Sequence, residues 1–283
     1  MPEIRVATLV DVPSIRALLR AHGNDSIVEP GAIDIVGPYV RHLVEHHVAR
    51  VSVDGDAVIG FGAAVDTGWC LMLADLFVDA ERLGTGIGRP LLDAVFGDST
   101  ARATFASDDP RAVPLYVRAG MTPLWTNFFV DGDAKRLPPD APDLRVRSAR
   151  PGENATIELA WTGADRSVDH AFWASSPEGD AFLVEDRFGP VAIGYARGRQ
   201  VKPTRVMDRL VIRPEADPVA PALAAIRRGA RDNPVMTVHV LGPNPLLPVL
   251  LEAGFRIVDR DQFLASDPAL VDPERLLPNP GML

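Results

Sequence analysis

Leu71–Val78 is a short run, apolar but for Asp75, and apolar residues then recur at helical spacing at Leu91, Leu92, Val95 and Phe96. A short apolar run giving way to a period near 3.6 predicts a strand followed by a helix. Gly84, Gly86 and Gly88 stand at the junction, where they allow a tight turn with bare N–H groups. The positive end of the following helix adds to those N–H groups, so the turn suits an anion such as phosphate. Further on, Asp109–Met121 (DPRAVPLYVRAGM) predicts a second helix closed by Gly120. Upstream, Ala49–Val53 and Ala57–Val65 flank Asp54-Gly55-Asp56, a hairpin signal.

The pattern occurs twice. Residues 58–65 (VIGFGAAV) match 192–199 (AIGYARGR), 75–81 (DLFVDAE) match 209–215 (RLVIRPE), and 115–121 (LYVRAGM) match 249–255 (VLLEAGF), all 134 positions apart. One register kept over three separated blocks predicts duplication of a single fold. The openings are alike as well, at 4–19 and 144–160, each a short strand leading into an amphipathic helix. Residues 131–143, rich in Pro, Asp and Gly, predict a linker. Each half therefore reads strand, one or two helices, hairpin, long strand, helix, strand, helix, strand: a mixed α/β order over roughly 130 residues. The expected units are 1–138 and 144–265, with 266–283 an irregular tail carrying Pro268, Pro273, Pro278 and Pro280.

Composition narrows the function. No apolar run approaches eighteen residues, so no membrane helix is expected, and the N-terminal stretch lacks a basic-then-apolar leader. With Cys70 the only cysteine no intrachain disulfide can form, which fits a cytoplasmic location. The net charge of −9 disfavours a nucleic-acid surface and is compatible with a cationic partner. Abundant arginine beside only two lysines, Lys135 and Lys202, suggests a GC-rich bacterial genome.

Other phosphate-binding motifs fail on spacing. A Rossmann fingerprint needs its first glycine directly after the strand and a G-x-G-x-x-G pattern, whereas Asp79–Leu83 intervene here and the pattern is G-x-G-x-G. A P-loop needs Gly-Lys-Ser/Thr, which is absent. The glycines alone would equally suit a structural loop needing positive φ. Together with 109–121, however, the turn resembles the acetyl-CoA site of the GCN5-related N-acetyltransferases (GNAT superfamily).

That resemblance implies a tandem duplication of the acyl-CoA N-acyltransferase fold, with acetyl-CoA as co-substrate. It carries Leu76, Phe77 and Val78 onto the strand end whose backbone pairs with the pantetheine arm. Leu83, Gly84, Thr85, Gly86, Ile87, Gly88 and Arg89 fall on the pyrophosphate turn, with Leu83 in place of the usual Gln or Arg and Arg82 nearby. Asp109, Arg111 and Ala112 open the second helix, Asp109 standing where Asn is usual and able to cap it. Tyr116 falls where relatives place the acid that protonates the CoA thiolate, although an aromatic residue at helical spacing can equally be core. Asp75 is a candidate general base or simply an exposed strand carboxylate, and water on a backbone carbonyl is the alternative. An oxyanion would be stabilised by strand amides near Phe77–Val78.

His42 and His46 have a permissible metal spacing, but no third ligand is visible in the sequence, and no metal is expected. A solvated face, or the wall of an acceptor cleft, is the reading of these two. No Gly-x-Ser-x-Gly elbow occurs, and Cys70 has no companion motif.

At the same offset Gly84, Gly86 and Gly88 become Pro218, Ala220 and Ala222, and Tyr116 becomes Leu250. A proline removes a donor and β-carbons crowd a phosphate loop, so the second half is expected to have lost the site. The expected function is acetyl-CoA-dependent N-acetylation of an amine on a small molecule or peptide, by direct transfer in the first half. A non-catalytic acyl-CoA-binding or regulatory protein is the alternative, and a mycothiol-synthase-like activity rests on shared tandem architecture alone. Residues 22–38 are expected to line the acceptor pocket. Neither nucleic acid nor membrane is an expected partner, and the chain is read as monomer or homodimer.

Overall fold

The structure is a computed structural model that describes residues 2–23, 34–107, 109–198, 204–231, 233 and 235–283. Ten of the residues expected to line the acceptor pocket, 24–33, lie outside the described ones. The first half runs β1 (Glu3–Val6), α1 (Val12–Ala21), α2 (Val36–His46), β2 (Val48–Asp54), β3 (Ala57–Asp66), β4 (Leu71–Val78), α3 (Gly88–Phe96), β5 (Arg102–Ala106), α4 (Ala112–Arg118) and β6 (Thr122–Gly132). The second repeats that order as β7 (Arg145–Ser148), α5 (Glu153–Thr162), α6 (Ser167–Ala174), β8 (Asp180–Asp186), β9 (Gly189–Gly198), β10 (Thr204–Ile212), α7 (Ala220–Ala230), β11 (Val235–Leu241), α8 (Leu246–Glu252) and β12 (Arg256–Ala265). In the tail, where an irregular segment was expected, Leu276–Leu277 form a short strand, β13. No helix among the described residues is long and apolar enough to cross a membrane.

Among the described residues, all thirteen strands belong to one sheet, ordered β1-β2-β3-β4-β5-β12-β6-β11-β10-β9-β8-β7, with β13 on β10. The halves exchange their last strands. β12 pairs with β5 of the first half, from Gln262 opposite Ala106 to Ala265 opposite Ala103. β6 pairs with β11 of the second half, from Asn127 opposite Leu241 to Gly132 opposite Met236. The two exchanged strands lie antiparallel to each other at the centre. Each half's sheet is thus completed by the other's chain.

Strand pairing also corrects the register of the repeat. Gly62 lies opposite Leu76, and Gly194 lies opposite Leu210. The structural counterpart of Gly194 is therefore Gly62 rather than Gly60, an offset of 132 across the β2–β3 and β8–β9 hairpins. From β4 and β10 onward the offset is 134, and the two extra residues fall between Gly198 and Arg205.

The cores cross the halves too. Trp173, Tyr195 and Met282 join the apolar cluster beneath α1 and α2 of the first half. Leu264 of β12 joins the cluster under α3 and α4. At the seam, Met72 and Ala103 pack with Phe263, Leu276 and Leu283, all buried.

Candidate functional site

β4 and β5 are parallel partners only from Leu71 opposite Arg102 to Leu73 opposite Thr104, and then separate. A bulge at Ala74, between the pairs Ala63–Asp75 and Ala64–Leu73, bends β4 where the gap begins. The Asp79 N–H donates to the Ile59 carbonyl (2.9 Å), so by antiparallel alternation Phe77 and Asp75 bond to β3. The main-chain groups of Leu76 and Val78 therefore face the gap. The expected oxyanion donors near Phe77–Val78 reduce to Val78, because Phe77 is committed to β3.

A cavity of about 610 Å³ occupies the gap. It brings together Leu76, Phe77, Val78, Leu83, Gly84, Gly86, Ile87, Gly88, Arg89, Asp109, Arg111, Ala112 and Tyr116, so the strand end, the glycine turn and α4 converge on one space. Two of the sequence candidates do not line it. Thr85 turns back onto the Arg82 carbonyl through its N–H (3.2 Å) and its hydroxyl (2.6 Å), and so serves the turn itself. Asp75, facing opposite to Leu76 on β4, is not on the cavity's wall.

Within the turn, Gly84 and Gly86 adopt φ of +79° and +88°, which favours glycine, and a β-carbon on either would project into open space. Gly88 has no such requirement; a β-carbon there would make ordinary contact with Leu115 and Val78. Among the described residues the N–H groups of Gly86, Ile87, Gly88 and Arg89 have no partner, and they precede or open α3. Such a set of N–H groups at a helix start is an anion cradle. Three of the four guanidiniums on the rim are engaged with carboxylates, and Arg118 is the fourth. Arg82 pairs with Asp54 (2.7 Å), Arg89 with Asp93 (2.8 Å) and Arg111 with Asp109 (2.6 Å). Asp109 also accepts the Arg111 N–H (2.8 Å), so it holds the residue before α4 rather than capping the helix proper.

Tyr116 is buried, at 8% exposure, yet its ring borders the cavity. Burial raises its phenol pKa above the ordinary value, and the charges of Asp75 and Asp109 add to the rise. The phenol is therefore protonated at neutral pH. Asp75 is no exposed strand carboxylate. Its Oδ2 is buried with no hydrogen-bond partner, and desolvation lifts the carboxyl to about 6, with the Tyr39 hydroxyl partly offsetting the rise. Tyr39, from α2, donates to the Gly281 carbonyl (3.3 Å) and is near enough to Asp75 for each to influence the other's proton.

Tyr39 escaped sequence reasoning, and His22 was read only as the first residue of the expected acceptor segment; its Nε2 lies 2.8 Å from the Val78 carbonyl at the mouth of the first cavity. Neither sits in a motif, because what places them is the fold of α1 and α2 over β4.

Tyr39 also walls a second cavity, about 450 Å³, on the seam between the halves. Asp34 lies on it from the first half, Phe172, Trp173, Arg197 and Asp208 from the second, and Asn279 from the tail. The Arg197–Asp208 pair (2.9 Å) is internally neutral. Close by, His42 is buried rather than solvated, and its Nε2 meets Asp169 of α6 at 2.9 Å. His46 is exposed; the partner of His42 at this point is His47, whose Nε2 is 2.8 Å from the same Asp169 oxygen.

The counterpart of the first cavity in the second half is closed. Leu210 and Val211, equivalent to Leu76 and Phe77, pair with Leu277 and Leu276 of β13. The Ile212 N–H, equivalent to that of Val78, donates to the Arg275 carbonyl (2.9 Å). The chain's own tail lies along the strand edge left free in the first half. It continues to Met282 and Leu283, whose carbonyls accept from buried Arg166 (2.7 and 2.9 Å) and, at Leu283, from Arg209 (2.6 Å). Arg209 is in turn held by Glu158 at 2.5 and 2.7 Å.

The fold is found among solved structures. A Pyrococcus horikoshii protein provisionally assigned as an acetyltransferase superposes with a TM-score of 0.69 at 14% identity, over 99% of this chain and 94% of its own. A tandem GNAT protein from the clavulanic acid biosynthesis pathway gives 0.63 at 14% identity, over 95% of this chain and 99% of its own. A GCN5-related N-acetyltransferase from Kribbella flavida gives 0.62 at 18% identity, over 94% and 71% respectively. No protein-family model matches the sequence, and no curated protein matches it. The chain therefore has the GCN5-related N-acetyltransferase fold, in tandem duplicate.

Proposed function

We propose that the chain is an acetyl-CoA-dependent N-acetyltransferase with one active cleft, in the first half. The observation that carries this reading is the meeting of three features at one cavity: a strand edge left open, unpartnered N–H groups at a helix start, and a buried protonated tyrosine. These residues suit acetyl-CoA. The N–H groups of Gly86–Arg89 would hold the pyrophosphate, the Leu76 main chain would pair with the pantetheine amides, and Leu115 and Ala112 offer apolar wall.

In the proposed chemistry an amine nitrogen bonds to the acyl carbon and the carbon–sulfur bond breaks. Asp75 takes the amine proton, directly or through water, since a carboxylate of pKa about 6 is ionised yet basic at neutral pH. Charge developing on the acyl oxygen is met by the Val78 N–H. Tyr116 gives its proton to the departing thiolate and regains one from the protonated Asp75 through solvent. The amine is proposed to arrive from the seam cavity, because Tyr39 forms part of its wall and also acts on Asp75. That assignment gives the second half a purpose: its α6 and β9–β10 supply the far wall.

The test is a screen of amines with acetyl-CoA, reading free thiol. Amine-dependent thiol release that is lost in Tyr116→Phe supports the proposal. Acetyl-CoA binding with no turnover on any amine would leave a binding protein instead.

A further inference from the structure

We propose that His42, His47 and Asp169 form a binding site for a divalent transition-metal ion of the Zn²⁺ class, clamping the two halves together. The three residues come from separate places: His42 from α2, His47 from the residue that ends that helix, and Asp169 from α6 of the other half. Their ligand atoms nevertheless converge. The two Nε2 atoms are 3.3 Å apart, and they lie 2.9 and 2.8 Å from one oxygen, Oδ1 of Asp169. All three side chains are nearly inaccessible, at 6%, 3% and 1% exposure.

Hydrogen bonding alone holds this triangle only if both imidazoles carry their proton on Nε2 and aim it at the same oxygen. A zinc ion does so with fewer demands. Bonds of about 2.0–2.2 Å to nitrogen and oxygen in a tetrahedron set ligand atoms roughly 3.3 Å apart. The two nitrogens already stand at that spacing, and the carboxylate oxygen needs to withdraw by about half an ångström to match it. Two imidazoles and one carboxylate are a donor set suited to zinc, with the fourth position left to water.

The surroundings orient the ligands. The other Asp169 oxygen is held by Arg166 (2.9 Å), which presents Oδ1 to the histidines, and the His42 ring stacks on Phe172 at 4.5 Å and 20°. Because Arg166 shares the carboxylate, the ion gains less than a full counter-charge. Affinity should be moderate, well short of the tight sites in which all-thiolate ligands surround zinc.

The untagged full chain, stripped with chelator, would be titrated with Zn²⁺ by calorimetry and with Co²⁺ by visible absorption. One Zn²⁺ per chain is expected, with Co²⁺ giving the intense bands of a tetrahedral site and the melting temperature rising on Zn²⁺ addition. His42→Gln and His47→Gln should each weaken binding by more than the roughly 10–100-fold that losing an outer-shell partner costs, and should abolish the thermal shift. His46→Gln, at an exposed position, should bind within a few-fold of the parent. Absence of saturable one-to-one binding by the unaltered chain would overturn the proposal, whatever the variants do. Undiminished binding in a folded His47→Gln protein would overturn it too, leaving the cluster a hydrogen-bonded latch.

Discussion

Tyr116 and Asp75 differ in how far their neighbours along the chain disclose their roles. Tyr116 is legible because its helix carries a recognisable motif, and its burial beside the cavity accords with the acid role proposed for it. Tyr116→Phe should cut kcat by roughly 10²-fold while leaving the acetyl-CoA affinity nearly unchanged, since only a hydroxyl is removed. Steady-state kinetics beside calorimetry would check this, and a near-parental kcat would return the residue to the core. For Asp75 the sequence leaves base and surface carboxylate equally open, because burial depends on α2 crossing above it. With its pKa near 6, kcat/KM should rise with pH through about 6. The limb should vanish in Asp75→Asn, while any limb due to the amine itself would remain. Stability should move the other way. A carboxyl whose pKa is raised by folding contributes stability below its unfolded pKa and loses it as pH rises through the folded value. Asp75→Asn should therefore be more resistant to denaturant than the parent at pH 8, with the gap closing toward pH 4. Equal unfolding midpoints at both pH values would show that the carboxyl is not buried as described.

At the scale of elements, strand–turn–helix and hairpin boundaries were readable from periodicity because each is a local pattern. The glycine turn was legible as a turn, but which glycine matters was not: positive φ at Gly84 and Gly86, and its absence at Gly88, depend on how the loop closes on α3. Gly88→Ala should therefore be far milder for acetyl-CoA binding than the same change at Gly86, a ranking that calorimetry on the two variants would reverse or uphold. The two-residue slip in the repeat escaped detection because glycines recur at both Gly60 and Gly62, and only pairing with β4 decides between them. The tail was hardest to read. Its prolines correctly signal irregularity, yet Leu276 and Leu277 find a free strand edge. Leu277, at 1% exposure, should cost about 2–5 kcal/mol when changed to Ala, read as a lowered denaturant midpoint. Little change in midpoint would mean that β13 is not integral to the fold.

For the whole molecule, duplication was visible in the sequence but strand exchange was not. β6 and β12 are equivalent strands with similar patterns, so no local signal states which sheet either joins. The exchange has a consequence for dissection. A fragment of residues 1–138 would leave β5 without β12 and β6 without a neighbour on either side, exposing one edge of β5 and both edges of the long β6. It should be insoluble or unfolded when expressed alone, and a soluble fragment with native-like far-UV dichroism would contradict that. The same asymmetry of edges underlies the central claim, since β4 faces an open gap while its counterpart β10 is covered by β13. Calorimetric titration of the full chain with acetyl-CoA, repeated on Gly86→Leu, tests it most directly. One molecule should bind per chain, and the variant should lose that binding while remaining folded. Two equivalent sites, or one site indifferent to Gly86→Leu, would contradict the assignment of the cleft to the first half.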